Sequence, residues 1–250
     1  MNEQSMLNKK AWEYRAYEFW TRRDGSPMEK ANKILINPKG CLKIHQEYFI
    51  DIDGKSIANL CGSNGRKAIP LALMGGKVTV FDISEENRKY ALELAHCANT
   101  SIDYIVCDIY DIDLKKYEGF FDFLYLEGGI LHYFNDINKL MSILYLLLKD
   151  NGKMILSDFH PLRKCLDEDN SGQTQGNYFE DEFHSGDVAY KQFFSEEQQK
   201  GFLDCSLRFY TLSEIINSVI TVGFQLSKFD EHPSWKNEKV PGEFTIIAVK

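Results

Sequence analysis

The stretch that decides the fold is Ile57–Gly76, IANLCGSNGRKAIPLALMGG. A short apolar run ends in Cys-Gly-Ser-Asn-Gly, and a helix-like pattern follows. This is the signature of a strand, a tight loop and a helix N-terminus that hold a nucleotide-like ligand. Such a ligand must approach the backbone closely, so side chains hinder it and glycine is favoured. A helix that starts just after the loop aims free N–H groups at the ligand. Gly62 and Gly65 supply the permissive positions. Alone, the loop reads better as a plain turn between a strand and a helix.

Outward from this loop the pattern repeats. KVTVFDI (77–83) reads as a second strand and SEENRKYALELAHCA (84–98) as an amphipathic helix capped by Ser84. IDYIVCDI (102–109), FDFLYLEGG (121–129) and KMILSDF (153–159) read as three more strands, with a helix over 137–152 stopped by Gly152. Alternating strands and helices predict a parallel sheet covered on both faces. After residue 161 the alternation fails. Residues 162–205 are polar, acidic and aromatic, which predicts a lid inserted into the fold. A helix (TLSEIINSVITVG) and two strands (FQLSKFDEHP, GEFTIIAVK) then close the chain. Before the first strand, residues 1–50 carry Trp12, Tyr17 and Trp20 at helical spacing and predict a helical cap.

The expected organisation is one domain over residues 1–250. It comprises the cap (1–50), a ligand-binding core (51–161), the lid (162–205) and a C-terminal completion of the sheet (206–250).

Two acids raise the loop above a plain turn. Asp82 ends the second strand, seventeen residues after Gly65, and Asp108 ends the third. Open α/β sheets bind ligands at the carboxyl ends of their strands. A carboxylate at the first place can accept from ribose hydroxyls, and one at the second from an adenine amino group.

With these residues in hand, Ile57–Pro161 resembles the class I S-adenosylmethionine-dependent methyltransferases. ANLCGSNG is similar to their first motif, VFDIS to the second and YIVCDIYD to the third. FDFLYLEGGILHYFND and LLLKDNGKMILSDFHP resemble the fourth and fifth strands with their flanking helix. The resemblance implies an α/β, Rossmann-like sheet of seven strands, mostly parallel, with an antiparallel last strand and helices on both faces. It implies a methyltransferase that takes S-adenosylmethionine, leaves S-adenosylhomocysteine and methylates an unidentified acceptor, expected to be a small molecule. By that resemblance Asn59, Gly62, Ser63 and Gly65 line the methionine and ribose. Asp82 holds the ribose, with Ile83 on the adenine, while Asp108 and Ile109 flank the adenine. Glu127 and Gly128 face the methionine end. The loop departs from the family pattern: Asn59 replaces its acid, and Cys61 and Ser63 replace two of its three glycines. This departure leaves a second reading open, a non-catalytic binding or regulatory module. A nicotinamide enzyme fits less well, because CGSNGR lacks the GxGxxG spacing.

Methyl transfer requires alignment of the acceptor and a base only where the acceptor must lose a proton. His132 and His160 follow the fourth and fifth strands and are the expected catalytic candidates; each is also a plausible packing residue by its position alone. Tyr14, Trp20, Tyr178 and Tyr190 are the expected acceptor-binding aromatics. No metal is expected, since no HxH or HxxxH pair occurs.

The remaining composition narrows the class. A net charge of -8 argues against a nucleic-acid backbone as partner. The six cysteines form no CxxC pair and fit a reducing compartment. The N-terminus lacks a signal-like apolar stretch, and the longest apolar run, LMSILYLLL (140–148), is too short to span a bilayer. A cytoplasmic location without membrane contact is the expectation; oligomeric state is left open.

Overall fold

The computed structural model describes residues 1–166 and 176–250. The part of the expected lid at 167–175 lies outside the described residues. Seven strands form one sheet: β1 (Ser56–Leu60), β2 (Lys77–Asp82), β3 (Asp103–Val106), β4 (Phe121–Glu127), β5 (Leu148–Phe159), and two late strands, Gln225–Pro233 and Pro241–Val249. An additional hairpin of β6 (Phe183–Asp187) and β7 (Asp204–Arg208) precedes these late strands, which are therefore β8 and β9. The sheet order is β3-β2-β1-β4-β5-β9-β8. Its first five strands run parallel, and β9 is antiparallel to both β5 and β8. The order reverses on either side of β1, so the C-terminal ends of β1 and β4 flank a switch point.

The central strands are buried on both faces, as parallel strands under two helical layers must be. Side chains alternate between two cores. Ala58, Leu60, Leu124 and Leu126 enter one, and Ile57, Phe123 and Tyr125 the other. The first core is closed by α7 (Ile137–Leu147) and α10 (Leu212–Thr221), through Leu140, Leu144, Ile215 and Val219. The second is closed by α4 (Ala68–Leu73) and the 3₁₀ segment Lys39–Tyr48. Pro70 is tolerated because it falls in the first turn of α4, where a backbone N–H has no helical partner. The expected helix over 137–152 ends at Leu147, and Gly152 lies inside β5. Apolar density continues across that boundary, so hydrophobicity alone could not mark the change of element.

A third core joins the cap to the sheet. Three helices, α1 (Glu3–Glu13), α2 (Ala16–Asp24) and α3 (Pro27–Ile36), replace the single aromatic helix suggested by spacing. Phe19, Trp20 and Ile34 from them pack with Tyr90 and Leu94 of α5 (Glu85–Cys97), and with Tyr190 and Phe202 of the expected lid. Polar groups fasten this layer. Asn8 donates to the Ser206 and Tyr133 carbonyls at 3.1 and 3.3 Å and accepts from the Ser206 N–H at 2.8 Å. One side chain thus ties the cap, the β6–β7 hairpin and the segment after β4. The Tyr190 hydroxyl donates to the Tyr14 carbonyl at 2.9 Å. The substitution Asn8→Ala leaves partly buried backbone groups unpaired and should cost about 1–3 kcal/mol. Denaturant unfolding should show this loss, and limited proteolysis should show faster cleavage in the hairpin.

Candidate cofactor site

A cavity of about 250 Å³ opens at the carboxyl ends of β1, β2 and β4. Its floor is the loop after β1. There Cys61, Ser63 and Gly65 all hold positive φ, at 51°, 51° and 78°. Two of these three left-handed positions carry a side chain, which costs roughly 1–2 kcal/mol per L-residue. Gly62 is required for a different reason: a Cβ there would lie 2.6 Å from Asn59 Oδ1 and 2.7 Å from Val80 Cγ1.

Asp82 holds the loop in place. Its Oδ2 accepts from the Ser63 N–H at 2.9 Å. Its Oδ1 accepts from the Ser84 N–H at 3.0 Å and the Asn87 amide at 3.1 Å. Burial pushes the carboxyl pKa up, and these donors oppose that shift without cancelling it.

Three polar atoms at the cavity wall are buried and have no hydrogen-bond partner: Asn59 Oδ1, Ser63 Oγ and Asp108 Oδ2. The other halves of two of these groups are engaged. Asn59 donates to the Tyr125 carbonyl at 3.2 Å, and Asp108 Oδ1 accepts from the Tyr110 N–H at 2.9 Å. Buried polar atoms are rarely left single. Two acceptors and a hydroxyl on residues that line one cavity fit a ligand rich in O–H and N–H donors.

At the far end, Arg66 and Glu127 form an ion pair at 2.7 Å. Burial raises the Glu127 pKa, but Arg66, Lys67 and His45 outweigh it and hold the carboxyl below its ordinary value. This juxtaposed cation and anion complement a zwitterionic amino-acid end. Arg66 escaped the sequence reading, although it directly follows Gly65. Cys61 and Cys107 also line the cavity. Burial pushes both thiols up, Cys107 to about 12, so neither is a thiolate at neutral pH.

The roof comes from the cap and the hairpin connection. Trp12, Trp20 and Tyr133 meet Tyr190 and Phe193 over the cavity. The Trp20 indole donates to Asn87 Oδ1 at 2.7 Å, and Arg23 lies over its ring at 4.3 Å.

Of the residues singled out in sequence, Asn59, Gly62, Ser63, Asp82 and Ile83 line this cavity, as do Asp108, Ile109, Glu127 and Gly128. Gly65 does not line it; its α-carbon instead turns beneath α5, where an added Cβ would lie 3.0 Å from Ala91 Cβ. Trp20 and Tyr190 line it, whereas Tyr14 and Tyr178 do not. Tyr14 packs edge-on against Phe202 at 4.9 Å, and the Tyr178 hydroxyl accepts from the Leu212 N–H at 3.0 Å.

The two histidines lie elsewhere. His132 and His160 line a separate cavity on the other side of the segment after β4. His160 accepts from the Leu162 N–H at 3.2 Å, and its Nε2 lies 3.0 Å from Glu231. Asp158, two residues before His160, is taken by the backbone: it accepts from the Ile130, Leu131 and Phe159 N–H groups. Position after a strand did not reveal which side of the loop each ring would take. Among the described residues, no cluster of three or more metal-ligating side chains occurs, and no helix is long and apolar enough to cross a membrane.

Comparison with known proteins accords with this geometry. Residues 60–156 match the family model described as a methyltransferase domain. The match runs from the end of β1 into β5, the stretch whose motifs resemble those of the class I S-adenosylmethionine-dependent methyltransferases. The matched segment is a methyltransferase domain, and the cofactor that this resemblance implies is S-adenosylmethionine. A similar solved structure is a Listeria monocytogenes protein assigned to the S-adenosylmethionine-dependent methyltransferases, at 21% identity, covering 84% of this chain and 98% of that one, with a TM-score of 0.66. Another is magnesium protoporphyrin IX methyltransferase from Synechocystis PCC 6803 with bound S-adenosylhomocysteine, at 14% identity, 99% and 100% coverage, and a TM-score of 0.61. Both likenesses are of fold. In sequence, the chain is 26% identical over 204 residues to an uncharacterized protein of Haemophilus influenzae, covering 75% of this chain and 76% of that one.

Two outcomes test the local physics. Ser63→Gly relieves a left-handed side chain and removes an unpaired hydroxyl, at the expense of some chain entropy; unfolding in guanidinium should show a gain of about 1 kcal/mol. His132 is held to a pKa of about 4 by burial and by Arg163, against an ordinary 6.5. Between those values the unfolded chain binds the proton more readily, so this group's contribution to stability falls as pH drops from 6.5 to 4. Unfolding midpoints across that window should decline less steeply in His132→Phe than in the parent.

Proposed function

We propose that this chain transfers the methyl group of S-adenosylmethionine to a small-molecule acceptor, using the cavity above the β1 loop. The carrying observation is that Asn59, Ser63 and Asp108, which line one cavity, each hold a buried polar atom with no partner: Asn59 Oδ1, Ser63 Oγ and Asp108 Oδ2. In this reading Asp108 accepts from the adenine amino group and Ile83 and Ile109 sandwich the ring. Asp82 holds the ribose edge while it fixes the loop. Asn59, Gly62 and Ser63 meet the ribose and methionine, and Gly65 sets the loop's path from behind. Arg66 and Glu127 receive the carboxylate and amino groups, beside Gly128. Residues 1–50 and 162–205 act as cap and lid over the core at 51–161, with Trp20 and Tyr190 shaping the acceptor's side.

When bound, the cofactor supplies an electrophilic sulfonium methyl. The chain's part is to bind, align and exclude water. The aromatic roof suits a cation through its π faces. Among the described residues no histidine lines this cavity. A base at this wall would therefore come from another side chain; Lys67, whose pKa burial lowers to about 8, lines the same cavity.

Calorimetric titration with S-adenosylhomocysteine, with NAD as control, tests the reading. Binding of the former alone is expected. Asp108→Asn keeps an oxygen for Tyr110 but sets an amide donor against the adenine amino group. It should weaken binding about tenfold or more. Unchanged affinity in this variant, or no binding by folded protein, would overturn the assignment.

A further inference from the structure

The second cavity, about 280 Å³, lies between the end of β5, the short helix α8 (Leu162–Leu166) and the start of α10. The segment after β4 separates it from the cofactor cavity. Ile130 and Tyr133 face the first cavity, while Leu131 and His132 face the second. Its walls are apolar and aromatic. The His132 ring lies nearly parallel to Phe159, at 9° and 6.4 Å, and 6.1 Å from Phe209. With Phe209, these rings form the aromatic side of the cavity, the slot.

Two cations stand at the slot. Arg163 rests on the Phe159 ring at 4.1 Å, and among the described residues it makes no ion pair. Its Nη1 is buried and unpartnered. Lys164 lies over Phe209 at 4.6 Å, and its Nζ is likewise buried with no hydrogen bond. Four carboxylates come near them, and Glu243 feels the charge of Arg163 without an ion pair or hydrogen bond to it. Glu180 lies 3.8 Å from Lys164 and 3.2 Å from His184, too far from the lysine for a hydrogen bond. Glu231 pairs with His160, and Asp158 has spent its oxygens on three backbone N–H groups. Two adjacent cations with idle donors therefore meet an aromatic slot. Unsatisfied charged donors are costly inside a protein, and an anionic group would relieve both.

We propose that this second cavity binds the carboxylate or phosphate of a small aromatic molecule, with Arg163 and Lys164 on the anion and Phe159, His132 and Phe209 on the ring. The site goes beyond the methyl-transfer reading and does not depend on it.

Phenyl phosphate and phenylacetate are the probes, titrated calorimetrically into the full chain. At least one should bind, and the tighter of the two names the anion. Arg163→Gln combined with Lys164→Gln should weaken that probe tenfold or more, while affinity for S-adenosylhomocysteine stays within twofold. Glu180→Gln removes the competing carboxylate and should tighten the probe several-fold; a merely structural cluster would not respond this way. Absence of binding by either probe, or equal affinity in the double variant, overturns the proposal. If the homocysteine product binds and the probes do not, only this inference falls. If the probes bind and the product does not, only the methyl-transfer reading falls.

Discussion

The carboxylate of Asp82 organises the site. It closes three connections at once: to the loop after β1 through Ser63, to the start of α5 through Ser84, and to the Asn87 side chain. Asn87 in turn accepts from Trp20. One chain of hydrogen bonds thus runs from the edge of β2 through α5 into the cap. A buried carboxylate is costly unless its oxygens are satisfied, so the surrounding donors are bound to this arrangement. Removing Asp82 would free the loop, the helix start and the roof together.

This clamp also accounts for the strained loop. Left-handed side chains persist only where their surroundings over-determine them. Cys61 donates its N–H to the Phe81 carbonyl at 2.7 Å, and the Ser63 N–H is held by Asp82. The Ser63 carbonyl accepts from the Tyr104 hydroxyl at 2.8 Å. With both sides of Ser63 pinned, the chain keeps the path that glycines would take without strain.

The cap and hairpin solve a second problem. An open sheet leaves its ligand edge exposed to water. Here aromatic rings from α1, α2 and the segment after β6 meet over that edge, and Asn8 and Tyr190 supply the polar fastenings beneath them. The segment after β4 then serves two cavities, with Asp158 gripping its backbone from behind. Cofactor wall and second slot share this one support, so a change in one is mechanically close to the other.

The sheet was legible in sequence because its signals are local. Strands such as SIANL and KVTVFDI and the capped helix at Ser84 announce themselves within a few residues, and strand ends locate the acids Asp82 and Asp108. The glycine-poor loop was legible too, by its place between a strand and a helix. Tertiary structure alone decided the rest. Asn8 meets Ser206 across 198 residues, and no local pattern encodes such a pairing. His132 and His160 follow the expected strands, yet the path of the intervening backbone sends both away from the cofactor cavity. Arg66 gains its meaning only from Glu127, which β4 brings alongside β1. Periodicity records which face of an element is buried; which distant group waits there is set by how the elements pack.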